Sequence, residues 1–386
     1  MRQDVWLSRL RKVDWDFTGA YSESGFSSIH WHPARFVSQI AAALIGLLSK
    51  PGDLVLDPFV GSGTTCVEAQ RLGRTSIGVD LNPVACLMAR AKTLRASARD
   101  VEKSVVEIKQ EAEGALSTQR TLGRQLDAVT VAPHAVQLDK WYSRSVGHDL
   151  GILWSLIGDF KGRERTIASA AFSSILLAVC RETRHWGYVC DNSTPKGEKE
   201  ADVLKEFHRT LDTFAAAYGE RDGDIAARGS APGIAEAQIV TGDARDVLKM
   251  LSAGSVDLVV TSPPYFGVSD YVKAQRLSME WFGYEIEPLR LKEIGARSKR
   301  HRRVAREEYL AELREVFRLV HRCLKRGAIC CVVVGESETR DAVLKEARET
   351  LESAGLRLTA DINRRVSSQR RQHPSITGEH IFIARR

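Results

Sequence analysis

Thr261-Ser262-Pro263-Pro264-Tyr265 brings together residue types that can do chemistry. Neither proline can donate to a sheet ladder, and each stiffens the backbone. The Ser262 hydroxyl and the neighbouring carbonyls are therefore held in a fixed direction. Tyr265 adds a flat ring with a polar tip. Together they make a rigid rim of hydrogen-bond acceptors beside an aromatic face; the plainer alternative is a Pro-Pro strand terminator with a packed tyrosine. A second stretch, Asp57-Pro58-Phe59-Val60-Gly61-Ser62-Gly63-Thr64-Thr65, carries glycines that let the backbone approach a ligand closely at the start of a helix, where negative charge is favoured. Asp80 lies 23 positions after Asp57, the spacing at which a βαβ unit sets a carboxylate against ribose hydroxyls. Asp243 has two readings, an acceptor for an adenine amino group or the N-cap of a following helix.

These residues need strands and helices to hold them. Leu54–Asp57 reads as a buried strand, Cys66–Leu72 as a helix, Thr75–Asp80 as a strand, and Asn82-Pro83 starts a helix over Val84–Thr93. The block 54–93 is a nucleoside-binding βαβα unit. It lacks both GxGxxG and GxxxxGK[ST], which disfavours NAD and ATP. Strand patterns resume at Ala237–Asp243 and at Ser255–Val260, which leads into the Pro-Pro stretch at the carboxyl end where an open α/β sheet binds ligands. Further strands are expected at Ile329–Val334, Leu356–Ile362 and His380–Ala384. About seven strands interleaved with helices predict an α/β fold with a doubly wound, mostly parallel sheet. Residues 94–236 read as a helical insertion. It includes a polar loop, 181–195, whose Arg181, Arg184, His185, Trp186 and Asn192 are candidates for rim contacts, and a Gly/Asp-rich linker at 219–232. Residues 1–29 read as an irregular arm.

The chain has 386 residues, 43% hydrophobic and 27% charged, ordinary values for a soluble globular protein. Its seven cysteines (66, 86, 180, 190, 323, 330, 331) form no CxxC pair and read as reduced core residues. His30 and His32 have no nearby Cys or carboxylate pair to complete a metal site, so no metal is expected. The N-terminal residues do not resemble a signal peptide, and the apolar run 167–180 is too short to span a bilayer, which predicts a cytoplasmic protein. A net charge of +7 and a pI near 9.0 permit a polyanionic partner. The charge gathers in two runs: Arg297, Lys299, Arg300, Arg302 and Arg303, and then Arg364, Arg365, Arg370 and Arg371. Both follow the Pro-Pro-Tyr stretch, so phosphate contact is the functional reading and a solvated surface the plain one.

In their order along the chain, Asp57-Pro-Phe-Val-Gly-Ser-Gly63, Asp80, Asp243 and Thr261-Ser-Pro-Pro-Tyr265 resemble the DNA methyltransferases that act on exocyclic amino groups, over roughly residues 30–93 and 237–386. The resemblance implies the class I, Rossmann-like methyltransferase fold and S-adenosylmethionine (SAM) as cofactor. It implies transfer to N4 of cytosine or N6 of adenine, and the serine at 262 is the variant associated with cytosine. His32 and Pro33 resemble the segment that contacts the methionine half of SAM, joined by Asp57, Phe59, Gly61, Gly63, Thr64, Thr65, Asp80 and Asp243. Ser262, Pro263, Pro264 and Tyr265 become the catalytic set, acting on a base that is flipped out or unpaired. A site-specific enzyme with DNA as partner, and a cognate restriction endonuclease beside it, is the implied setting. RNA amino methylation and a catalytically silent DNA-binding subunit are the alternatives. The pattern departs from many family members in placing Ser-Pro-Pro-Tyr after the glycine stretch, with 94–236 between.

Overall fold

The computed structural model describes residues 3–17, 25–29, 37–122, 137–182, 195, 200–229, 233–299, 301–337, 343–365 and 376–386. In chain order the elements begin with α1 (Gln3–Leu10), α2 (Ser38–Leu48), β1 (Leu54–Asp57), α3 (Thr64–Arg71), β2 (Thr75–Asp80) and α4 (Pro83–Lys92). The inserted helices follow: α5 (Ala98–Leu122), α6 (Leu138–Trp141), α7 (Arg144–Asp159), α8 (Gly162–Leu176) and α9 (Val203–Ala227). Then come β3 (Ala237–Thr241), α10 (Ala244–Met250), β4 (Val256–Thr261), α11 (Tyr271–Ala274), α12 (Arg276–Trp281) and α13 (Ile286–Lys292). The chain closes with α14 (Ala305–Cys323), β5 (Leu324–Ser337), α15 (Val343–Ser353), β6 (Arg357–Arg365) and β7 (Ile376–Arg385).

The seven strands form one sheet in the order β3-β2-β1-β4-β5-β7-β6. All neighbours are parallel except β7, which runs antiparallel to both β5 and β6. This is the sheet expected from the sequence. The order reverses between β1 and β4, so the loops leaving those two strands part in opposite directions and open a crevice. The period-two alternation of strands sorts the core. Val55, Leu258, Val260, Val333 and Ile383 pack against α1 and α2 on one face. Leu56, Val259, Val332 and Phe382 pack against α10, α14 and α15 on the other.

The sequence reading needs two corrections. The N-terminal arm is not irregular throughout: α1 forms, and Trp6, Leu10 and Trp15 are buried against Ile40 and Leu44. Three large apolar side chains within ten residues outweigh the weak local period. Nor is 219–227 a linker, since α9 continues through Gly219 and Gly223. Its last turns are held by tertiary partners. Buried Arg221 donates to the carbonyls of Leu94 at 3.1 Å and Ala96 at 2.5 Å, and Asp222 accepts from the Ala98 N–H at 2.7 Å. A guanidinium out of water needs such partners, and they fix the helix despite its glycines. The inserted helices share one core with the sheet domain, for Phe172 and Phe207 cluster with Met88 and Ala91 of α4 and Trp281 of α12.

Gly63, the N-cap of α3, shows how tightly that helix is seated. Its φ is +98°, and a Cβ there would lie 2.9 Å from the Ala89 Cα on α4. The neighbour is backbone and cannot swing aside. Gly63→Ala should therefore lower the unfolding free energy by about 2–4 kcal/mol in urea titrations. A change within about 0.5 kcal/mol would mean that α3 and α4 are packed less closely than described.

Candidate active site

At the crevice, loops from four successive strands line one cleft with about 940 Å³ of empty volume, including its open mouth. Pro58–Ser62 and Thr64 come from the β1 turn, Asp80–Asn82 from the end of β2, Asp243 and Ala244 from β3, and Ser262–Pro264 from β4. Tyr271, Val272, Lys292, Glu293 and Ile294 form the outer wall. The structure thus brings together Phe59, Gly61, Thr64, Asp80, Asp243, Ser262, Pro263 and Pro264 from the residues singled out in the sequence.

Each carboxylate has a distinct setting. Asp80 accepts from the Gly61 N–H at 2.9 Å and the Asn82 N–H at 2.8 Å, which locks the glycine turn to β2. Desolvation nevertheless raises it to about 6. Asp243 caps α10 by accepting from the Arg245 N–H at 2.9 Å, and its carboxylate is clasped by the Arg245 guanidinium. Burial pushes Asp243 up, but the Arg245 bonds outweigh it and hold the group below the usual range. The helix-cap reading of Asp243 is therefore the one the structure shows, and the residue also lines the cleft.

Three expected cofactor contacts lie behind the cleft wall. Asp57 is buried; its Oδ1 accepts from the Thr261 hydroxyl at 2.6 Å and the Phe59 N–H at 3.0 Å, and burial raises it to about 6. Thr65 is buried and donates to the Val260 carbonyl at 3.2 Å. Gly63 faces α4. These residues shape the loop from beneath, because the strand-to-helix turn leaves them on its inner side. His32 and Pro33 lie outside the described residues.

The Ser-Pro-Pro-Tyr turn is held from several directions. The Ser262 and Tyr265 hydroxyls are 3.1 Å apart, the Tyr309 hydroxyl donates to the Pro264 carbonyl at 3.0 Å, and the Tyr265 N–H reaches the Tyr271 hydroxyl at 3.4 Å. Tyr265 is half-buried and is not among the residues lining the cleft. Burial chiefly, with the nearby Glu379 charge, keeps its phenol protonated well above the ordinary range. The cysteines are inert here, since burial pushes Cys66 and Cys86 up to about 12.

The basic residues divide. Arg297, Arg303 and Arg365 are exposed. Lys299 instead braces the loop by donating to the Leu291 carbonyl at 2.8 Å and the Glu293 carbonyl at 2.7 Å, and Arg302 is paired with Glu308. Arg364 is buried against Glu379 at 2.6 Å, on the sheet face it shares with Ala360 and Ile362, so it is not a phosphate contact. Arg300, Arg370 and Arg371 lie outside the described residues, as do Arg184, His185, Trp186 and Asn192. Sequence reasoning missed Lys292, Glu293 and Tyr271. No spacing marks them, because it is the end of α13 and the turn that leaves it that bring Lys292 and Glu293 to the cleft.

A sheet of this order with its last strand reversed, a glycine turn after β1 and an acid after β2, is the class I fold of SAM-dependent methyltransferases. The chain belongs to the DNA methylase family, whose model matches residues 2–91 and 256–386, more than half of the sequence. It is 23% identical over 464 aligned residues to the type II methyltransferase M.MjaII of Methanocaldococcus jannaschii, covering 99% of this chain and 85% of that protein. It is 37% identical over 90 residues to the type II methyltransferase M2.DpnII of Streptococcus pneumoniae, covering 23% of this chain and 30% of the other. Among solved structures, a Thermus thermophilus protein described as a DNA modification methylase and complexed with S-adenosyl-L-methionine is 23% identical over 38% of this chain and 51% of its own, with a TM-score of 0.25. SAM is the cofactor of this family, and the cleft suits it. Two buried polar atoms of the wall, Ser62 Oγ and Glu293 Oε2, meet no hydrogen-bond partner among the described residues. Both are what a nucleoside's hydroxyls and amines require. Among the described residues no helix is long and apolar enough to cross a membrane.

Two outcomes follow from this geometry. Arg364→Ala should cost about 3–5 kcal/mol of stability by leaving Glu379 uncompensated in the interior; an unchanged urea midpoint with weaker DNA binding would return Arg364 to the surface set. For Asp80, the folded value lies above the unfolded one, so its contribution to stability is present below pH 4 and is lost as pH rises through about 6. Without cofactor, the wild type should therefore gain stability relative to Asp80→Asn as pH falls from 6 to 4. Parallel pH–stability curves for the two proteins would mean that Asp80 is well solvated.

Proposed function

We propose that this DNA methylase transfers the methyl group to an exocyclic amino nitrogen of a base within a specific sequence, and that the nitrogen is N4 of cytosine. The observation that supports this most directly is the position of Ser262-Pro263-Pro264. It ends the central strand β4 and forms one wall of the cleft that Gly61 and Asp80 build from the other side.

In this reading SAM is held by Phe59, Gly61, Thr64, Asp80 and Asp243, with His32 and Pro33 at its methionine end. Bound there, it supplies an electrophilic methyl group. The protein's own part is to make a poor nucleophile competent. An exocyclic amine has its lone pair delocalised into the ring. Acceptors at Ser262 and the Pro263 carbonyl that bind both amino hydrogens favour a tetrahedral nitrogen and stabilise the charge that develops there. Each such fixed contact is worth roughly 3 kcal/mol by analogy with oxyanion holes. Pro263 and Pro264 keep these acceptors from reorganising. The Tyr265 ring stacks on the base, contributing about 1–3 kcal/mol, and the base must leave the duplex to reach it. Ser262 at the head of the motif is the basis for preferring cytosine.

Residues 30–93 and 237–386 form the catalytic domain in this reading. The helical segment 94–236 takes part in target recognition, and 1–29 is an N-terminal arm whose Trp6, Leu10 and Trp15 pack on the sheet face. Arg297, Arg303 and Arg365, with Arg300, Arg370 and Arg371, meet phosphates, so affinity for DNA should fall steeply with salt. The names of the two type II relatives support a role beside a cognate restriction endonuclease.

The test is transfer of tritiated methyl from SAM to unmethylated genomic DNA and, in parallel, to RNA, followed by nucleoside mass spectrometry. N4-methyldeoxycytidine is expected. N6-methyldeoxyadenosine would keep the chemistry and change the base, whereas label in RNA alone would overturn the reading. Ser262→Ala should lower kcat by about 10²–10³-fold with SAM affinity unchanged. Full activity in that variant would remove Ser262 from the mechanism.

A further inference from the structure

Glu293 is a buried carboxyl group without an assigned task in the wall of the cofactor cleft. It is 5% exposed, and it lines the cleft together with Asp80. Its Oε1 accepts from the Tyr271 N–H at the start of α11. Its Oε2 is buried and meets no hydrogen-bond partner among the described residues. A buried carboxyl oxygen left unmatched costs on the order of 1–3 kcal/mol, so an interior that keeps one has a use for it. Burial is the main cause that raises this group to about 8, with the charges of Asp270 and Asp80 acting the same way; the backbone N–H groups of Tyr271 and Val272 pull against them.

We propose that Glu293 is a second cofactor-binding carboxyl, whose Oε2 pairs with one ribose hydroxyl of SAM while Asp80 pairs with the other. This deepens the SAM-site reading above and rests on it. The choice of the ribose follows from the neighbours. Asp80 already spends one acceptor position of each oxygen on Gly61 and Asn82, which suits it to a single further hydroxyl rather than a bidentate pair. Asp243, the remaining acid of the cleft, is clasped by Arg245. Glu293 is thus the wall carboxyl with an oxygen left over, and its charge and that of Asp80 feel one another across the cleft. The same group also links cofactor to base loop, because the Tyr271 it holds by the backbone offers its hydroxyl to the Tyr265 N–H.

The experiment is calorimetric binding of SAM and of its 2′-deoxy and 3′-deoxy analogues to wild type, Glu293→Ala and Glu293→Gln. Wild-type protein should bind SAM more tightly than either analogue. Glu293→Ala should lose about 10-fold to 100-fold in affinity for SAM and for one analogue, yet lose nothing for the analogue lacking the hydroxyl that Glu293 holds. Glu293→Gln keeps an acceptor for the Tyr271 N–H and should fold where the alanine variant does not; its loss should follow the same selective pattern. An equal loss for SAM and both analogues would confine Glu293 to supporting α11 and overturn the proposal. Wild-type protein that binds none of the three ligands would instead refute the cofactor site itself.

Discussion

The hydrogen bond from the Thr261 hydroxyl to Asp57 Oδ1, at 2.6 Å, joins the last residues of β1 and β4. These strands flank the point where the sheet changes direction. The glycine turn leaves one of them and the Ser-Pro-Pro stretch leaves the other, so this bond, beyond the last paired residues of the ladder, ties together the roots of the two cleft walls. Asp57 also accepts from the Phe59 N–H, which turns the chain towards the cleft at its first step. The bond lies away from water, where a hydrogen bond to a carboxylate is strong and its loss expensive.

Around that bond the molecule separates two kinds of charge. The cleft wall and the interior behind it hold acids whose charged forms are disfavoured by burial, Asp80 near 6 and Glu293 near 8 on the wall and Asp57 near 6 behind it. Arg297, Arg303 and Arg365 are exposed on the outside. An acidic interior suits a ligand rich in hydroxyl and amine donors, and a basic exterior suits phosphates. Lys292 brings a cation to the outer wall of the cleft, where its charge acts on Asp243, while two others nearby are committed to structure. Arg245 clasps Asp243, and Lys299 donates to two main-chain carbonyls.

Legibility from sequence followed the range of the interactions. The elements of the block 54–93 could be read because strand, turn and helix there are adjacent in the chain and each leaves a local sign: glycine at the turn, Asn82-Pro83 at the helix start, an acid at the strand end; which turn residues face the cleft and which lie behind it, as Asp57, Gly63 and Thr65 do, left no such sign. Val256–Tyr265 was legible for the same reason. Arg364 was misread because a cation near the end of a strand looks alike whether it meets solvent or a buried Glu379 brought over from the neighbouring strand. The end of α9 looked like a linker because its glycines are local, whereas the partners of Arg221 and Asp222 come from around residues 70 and 94–98. Glu293 left no sign at all. Only the return of the chain after α13 places it beside Asp80.

The continuous core between the inserted helices and α4 bears on how this protein can change through descent. Phe172, Phe207 and Trp141 sit in one cluster with Met88, Ala91 and Trp281, side chains of the sheet domain itself. A segment attached by a flexible tether can be exchanged between relatives and carry a new property with it. This one cannot be lifted out without opening the interior beside the cofactor turn. Hybrid proteins joined at 94 and 236 should be insoluble unless α4 and α12 are exchanged along with the helices.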